Sequence, residues 1–190
     1  MKKLSAENIN ISVINLISDV AEKENVEIYL VGGFVRDLIL ERKSKDIDVL
    51  VIGNGIDFAR IFAKKTNERI QVFKNFGTAM LKTKDYEIEF VGARKESYNS
   101  DSRKPTIEEG NLEEDLSRRD FTINTLAISL NKKNYGEIVN LFDGINDIKR
   151  KIIKTPKDPQ VTFHDDPLRM FRAARFASQL NFKIDKENID

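Results

Sequence analysis

Two aspartates separated by one residue, Asp46 and Asp48, open an apolar run, Val49-Leu50-Val51-Ile52. If this stretch is a strand, side chains alternate between faces. Both carboxylates then point one way while Ile47 points into a core. Their Cα atoms would lie roughly 6–7 Å apart, from about 3.3 Å of rise per residue. Carboxylates so spaced can share divalent metal ions, as two-metal phosphoryl chemistry requires. Like charges at this distance repel unless a cation lies beside them. Upstream, Gly32-Gly33 ends another apolar run and precedes a short helix-like segment. Glycines there suit a turn with φ > 0 after a strand ending at Val31. The same turn bares backbone N–H groups at a helix start, which makes an anion site. Residues 32–48 therefore offer both parts of a nucleotide phosphoryl-transfer site, a phosphate cradle and a metal-binding acid pair. The plainer reading, solvated acids before a strand and an ordinary tight turn, is open on these residues alone. Glu87 and Glu89 alternate with Tyr86, Ile88 and Phe90. If their strand neighbours the one holding Asp46 and Asp48, Glu89 could be a third acid near the metals; otherwise it lies on a solvated strand face.

A second cluster runs Arg118-Arg119-Asp120-Phe121-Thr122-Ile123-Asn124. On a helix, Asp120 and Asn124 share a face at i,i+4. Ribose hydroxyls need an acceptor and an amide or guanidinium donor, and this set supplies both. A helix start capped by Ser117 or Asp120, with exposed arginines, would leave the same residues. A third cluster runs Asp165-Asp166-Pro167-Leu168-Arg169-Met170-Phe171-Arg172. Asp166 before Pro167 reads as an N-cap followed by proline at the first helical position. Arg169 would then sit in the first turn, where the helix dipole disfavours a cation. Arg172 follows at i+3 on the same face, and Arg175 extends the basic side. A carboxylate beside a guanidinium can read a nucleobase, accepting from an exocyclic amine and donating to ring acceptors. Leu168, Phe171, Phe176 and Leu180 can face the core. His164, the single histidine, cannot build a multi-histidine metal site and reads as structural or surface.

These residues need elements to hold them. Ser5 to about Glu24 reads as a helix with Ile9, Val13, Leu16, Ile17 and Val20 on one face. A strand over 27–31, a helix over 34–40, a strand over 47–52 and a helix over 57–67 follow, the last presenting Phe58, Ile61 and Phe62. Three strands, 70–73, 78–81 and 87–91, are joined by short polar or glycine-containing links and suit antiparallel hairpins. Residues 94–110 are polar without periodicity and read as a mobile loop. Residues 112–130 read mostly as helix, interrupted near 117–120. A short strand over 135–141, a turn at Asp143-Gly144, a helix over 145–151, an extended piece at 152–154, a link over 158–164 and a final helix over 167–180 complete the chain. This order points to an α+β fold with a mixed or antiparallel sheet.

The 190 residues, 40% hydrophobic, suffice for one good core or one domain with an appendage. The absence of cysteine excludes disulfides and thiolate metal sites and fits a reducing cytoplasm. The N-terminal residues lead into an amphipathic segment, so no signal peptide is expected. No apolar run approaches membrane-spanning length, so no membrane partner is expected. One third of the residues are charged, yet the net charge is +1. Contact with nucleic acid must therefore come from local clusters.

The run Gly32-Gly33-x-Val35-Arg36-Asp37 with Asp46-x-Asp48 resembles the first motif of class II tRNA nucleotidyltransferases. These CCA-adding enzymes share their head with bacterial poly(A) polymerases. Residues 118–124 are similar to the second motif of that family. Asp165-Asp166-Pro167-Leu168-Arg169 with Arg172-Ala173-x-Arg175-Phe176 is similar to the motif that begins its neck. The chain has Asp165 where glutamate is more usual, and Glu41 where glycine is common. The resemblance covers nearly the whole chain. It implies a nucleotidyltransferase head of the DNA polymerase beta-like kind over 1–150, with a mixed or antiparallel sheet flanked by helices. It further implies the start of a helical neck over 151–190, with body and tail absent. Asp46 and Asp48 would be catalytic and bind Mg²⁺. Gly32, Gly33 and Arg36 would hold the triphosphate, with Arg172 near it. Arg119 and Asp120, with Asn124, would contact the ribose, and Asp166 and Arg169 would read the base of CTP or ATP. The partners implied are CTP, ATP and the tRNA 3′ end. Without body and tail, such a chain is expected to bind nucleotide and metal but extend tRNA poorly. Poly(A) addition, or nucleotide or RNA binding without catalysis, are the rival functions.

Overall fold

The computed structural model describes residues 9–99 and 102–188; the expected helix start at Ser5 lies outside them. The chain divides into two units. One holds the chain up to Ala93 together with Ala127–Val139, and the other holds Arg94–Leu126 and the chain from Asn140 on. Among the described residues no helix is long and apolar enough to cross a membrane.

The first unit is built on a seven-stranded sheet. Its strands are β1 (Ile28–Val31), β2 (Asp46–Val51), β3 (Ile70–Phe73), β4 (Thr78–Lys82), β5 (Glu87–Gly92), β8 (Ala127–Ser129) and β9 (Ile138–Val139), in the order β3-β4-β5-β2-β1-β8-β9. Only β2 and β5 pair in parallel; the remaining ladders are antiparallel. The sheet is thus mixed, and the three strands expected over 70–91 form the expected antiparallel pairs.

Three helices belong to this unit: α1 (Ser12–Glu24), α2 (Gly32–Ile39) and α3 (Gly55–Thr66). Phe58 and Phe62 of α3 meet Phe90 of β5 at ring-centroid distances of 5.8 and 5.6 Å. Each such ring contributes about 1.5–3 kcal/mol by leaving water, which fixes α3 on the sheet. Ile61, expected beside them, is only half-buried. Helix α1 starts later than its sequence suggests and buries Ile14, Ile17, Ser18 and Ala21, an i, i+3, i+4, i+7 stripe. Leu16, expected in the core, lies off that stripe and is 42% exposed; Val13 is half-exposed.

In the second unit, residues expected to form a mobile loop make a hairpin, β6 (Arg94–Asn99) with β7 (Ser102–Glu109). Thr106, Ile107, Glu108 and Glu109 are all exposed. With neither face buried there, the ladder rests on backbone hydrogen bonds and leaves no hydrophobic alternation to read. The helix expected over 112–130 is only α4 (Leu112–Ser117). Asn111 and Glu114 cap it reciprocally, a single 3-10 turn follows at Thr122–Asn124, and β8 then leaves for the first unit's sheet.

Helix α5 (Gly144–Arg150) precedes β10 (Ile152–Ile153), which pairs in parallel with β11 (Lys183–Ile184). The expected link after residue 158 is itself a helix, α6 (Pro159–Asp165), started by Asp158, whose side chain accepts from the Gln160 N–H. The last helix, α7 (Leu168–Leu180), buries Ala173, Phe176 and Leu180. Leu168 and Phe171 do not reach the core but are 67% and 75% exposed. Each stands five residues before a buried position, about 140° around the helix at roughly 100° per residue.

Candidate active site

One cluster of candidate residues lies in the first unit. Strand β1 is fully buried, and the next residue, Gly32, turns the chain into α2 with φ +70°. A side chain would be strained there. No side chain of the N-cap residue Val31 caps α2, and the dipole at a helix start favours an anion. Gly33 has ordinary φ, and the nearest atom to a Cβ built on it is Nη2 of Arg36 at 3.6 Å. The guanidinium of Arg36 therefore stands beside the helix start. It is buried and forks onto Asp37, with Nε and Nη2 each 3.0 Å from the carboxylate.

Register places the acids. Val31, the last residue before Gly32, pairs with Asp48. On the other side of β2, Asp48 pairs with Glu89 and Asp46 with Glu87. Ile47 and Val49 are buried, Asp48 is half-buried and Asp46 is exposed, so both aspartates share the face away from the core as expected. Glu89 lies beside Asp48, as its alternation suggested, while Glu87 is held by an ion pair from Lys82. Carboxylate oxygens are the donors that hard divalent cations take. Among the described residues, no group of three or more such side chains closes on one point. These acids would thus supply only part of a coordination sphere. That fits a cation which completes its shell with water and phosphate oxygens.

The other two clusters lie in the second unit. Asp120 Oδ1 accepts from the Phe121 N–H at 2.9 Å and from Asn124 Nδ2 at 3.0 Å. The expected Asp120–Asn124 pair therefore forms, through the 3-10 turn and not an α-helix. Arg172 puts Nε and Nη2 on the other oxygen of Asp120, both at 2.7 Å. Four donors thus reach this buried carboxylate. The Arg172 guanidinium also lies 5.4 Å from the Phe176 ring centroid, and that ring meets Phe121 edge-on at 5.9 Å. Asp166 caps α7 by accepting from the Leu168 N–H at 3.0 Å. Arg169 lies 3.8 Å from Asp166 and donates to the Arg118 carbonyl at 2.8 Å. The cation in the first turn of α7 is thus held by a carbonyl of the second cluster.

Asp115 escaped the sequence reading. It is fully buried and receives both Arg118 and Arg119. An acid three and four residues before a pair of arginines on a helix was the available signal. Thr122 and Asp147 were likewise missed; both are buried and hydrogen-bonded to one another. His164 is exposed, as read.

The family model for the poly A polymerase head domain matches residues 28–154. The chain belongs to this family. An A-adding tRNA nucleotidyltransferase of Aquifex aeolicus (strain VF5) is 43% identical over 158 residues, 83% of this chain and 19% of the relative. A CCA-adding enzyme of Lactobacillus helveticus (strain DPC 4571) is 41% identical over 169 residues, 87% of this chain and 40% of the relative. The chain thus spans less than half the length of these relatives. A solved tRNA-processing enzyme in an apo form superposes with a TM-score of 0.84 at 38% identity, covering 99% of this chain and 46% of that one. A tRNA nucleotidyltransferase solved with a primer tRNA and an incoming ATP analog gives 0.79 at 39% identity, over 91% and 47%. The resemblance to class II tRNA nucleotidyltransferase heads and the α+β head fold both stand. Enzymes that transfer nucleotidyl groups generally work with divalent metal.

Proposed function

We propose that this chain is the catalytic part of a metal-dependent nucleotidyltransferase that adds CMP and AMP from CTP and ATP to the 3′ end of tRNA in the cytoplasm. The observation that carries this reading is the register around Asp48. One neighbour strand ends there and turns through Gly32 into a helix, and the other sets Glu89 alongside. The N–H groups at the start of α2, which would bind phosphate, thus follow directly on a strand adjacent to the one whose carboxylates would bind metal. Family membership and the names of the relatives support the same reading.

Asp46 and Asp48 would hold Mg²⁺, with Glu89 beside them. When bound, the ion stabilises charge on the transferring phosphoryl group and its leaving oxygen. Gly32, Gly33 and Arg36 would bind the triphosphate. Arg119 and Asn124 would meet the ribose, and Asp166 with Arg169 the base. Asp120, saturated by four donors, would act through Asn124 and through Arg172, which the family resemblance assigns to the triphosphate. The RNA 3′-hydroxyl oxygen bonds to the α-phosphorus, its proton goes to solvent, and pyrophosphate leaves with the electrons of the broken P–O bond. The match over residues 28–154 supports a head over 1–150 with the start of a neck over 151–190.

Calorimetric titration of CTP and ATP, with and without Mg²⁺, tests this. Both nucleotides should bind with Mg²⁺, and Asp48→Ala should remove the Mg²⁺-dependent part while circular dichroism stays unchanged. No binding of either nucleotide would sink the proposal. Addition of AMP alone is the second reading, favoured by two relatives named A-adding. Incorporation of CTP against ATP into tRNA lacking CCA separates the two.

A further inference from the structure

Resting on the nucleotide site proposed above, we propose that Asp115 is a positioning residue of that site. It orients Arg119 directly and Arg169 through Arg118. Asp115 has no exposed surface, and a buried carboxylate persists only when its charge and lone pairs are met. Arg118 brings Nε and Nη2 to Oδ1 at 3.0 and 2.6 Å. Arg119 brings Nε and Nη2 to Oδ2 at 3.2 and 3.0 Å. Each arginine is thus gripped by one edge of its fork. The edge grip fixes the guanidinium plane, which a single contact to a flexible side chain does not.

Arg119 keeps three of its five N–H donors beyond those used on Asp115. Their direction is set by the acid behind them. Arg118 is fixed a second time, by Nη1 on Glu96 at 3.0 Å, and its carbonyl takes Arg169 Nη2 at 2.8 Å. One buried charge therefore holds the arginine assigned to the ribose and anchors the stretch of backbone that holds the arginine assigned to the base.

Asp115→Asn keeps the shape but turns one acceptor into an NH₂ donor facing a guanidinium. Dissociation constants for CTP and 2′-deoxy-CTP with Mg²⁺ read the effect. The ribo-over-deoxy preference should fall about tenfold, the scale of a charge-assisted hydrogen bond lost. Arg119→Lys keeps the charge, removes the fork, and should lose the same preference. The double variant should lose no more than either single one. A purely structural Asp115 would lower the unfolding midpoint and leave the preference alone.

An unchanged preference in folded Asp115→Asn overturns the proposal, as do additive losses in the double variant. If Asp115→Asn does not fold, Asp115→Glu decides: it keeps the charge but moves both oxygens, so a fallen preference supports the proposal and an unchanged one overturns it. A wild-type chain binding neither nucleotide overturns the underlying reading and this inference with it. Binding with unchanged preference in the variants overturns this inference alone.

Discussion

Thr122 Oγ1 donates to Asp147 Oδ2 at 2.6 Å, and both residues are buried. The Thr122 N–H also donates to the Lys154 carbonyl at 2.8 Å. The start of the 3-10 turn that carries Asn124 is thus tied to α5 and to the strand after it. Burial pushes the Asp147 carboxyl above the usual carboxylate range. Asp143 adds to the push, and the Thr122 hydrogen bond, Arg150 and Lys154 oppose it. The folded state therefore holds its proton to higher pH than the unfolded chain. The associated stability is full below about pH 4 and is lost as pH rises through the folded value. Asp147→Asn removes this titration. The stability of that variant relative to wild type should rise between pH 4 and pH 7 in urea unfolding. A difference that stays flat with pH would refute the assignment.

Gly33 separates packing from ligand binding. Its φ is ordinary, and an added methyl would meet only the far end of Arg36, at 3.6 Å. Gly33→Ala should leave the stability unchanged or raise it by about 0.5–1 kcal/mol, as alanine does within helices. On the proposed site, triphosphate affinity should fall by about tenfold or more, because the methyl would stand where phosphate oxygens approach the N–H groups. Titration of CTP and CMP separates the effects: CTP should weaken far more than CMP. Equal weakening of both would argue against a phosphate cradle.

Glu41 has φ +55° just beyond α2, where the Arg42 N–H reaches the Asp37 carbonyl at 2.8 Å. This closes the helix with a left-handed residue, the position glycine takes most easily. Glycine is common here in the family that the sequence resembles, and the φ gives the reason. Glu41→Gly should stabilise the chain by about 0.5–1 kcal/mol, visible as a higher melting temperature. A lower one would show that the glutamate side chain has an unrecognised partner.

The parts of the site that sequence could show were those with a rigid local period. Asp46 and Asp48 fall on one face because a strand alternates, and Glu89 could be placed beside them once its own strand was read. What sequence could not show was which strands adjoin. The Val31–Asp48 register, which joins the glycine turn to the acids, is a long-range fact. Helix was expected through 126–130 because Ala127–Ser129 is buried on both faces, and an unbroken apolar run looks alike in helix and strand. The hairpin β6–β7 failed for the opposite reason, since residues 106–109 are exposed and the buried side chain of Glu96 is polar, leaving no apolar alternation to read. Asp115 was passed over because an acid near arginines looks like a solvated helix surface until its burial is known.

Strand β1 takes one neighbour, β2, from the residues that follow it, and the other, β8, from about a hundred residues later. Between them lies a stretch, residues 94–126, that belongs to the other unit. During synthesis, the β1 edge must wait without a partner until β8 emerges. Contacts so distant in sequence close slowly, and an unpaired apolar edge recruits other chains in the meantime. The strand that leads to Gly32 is therefore sealed on that side only after Ala127–Ser129 has been made. Yield on refolding should depend on chain concentration more than on the stability of the finished fold.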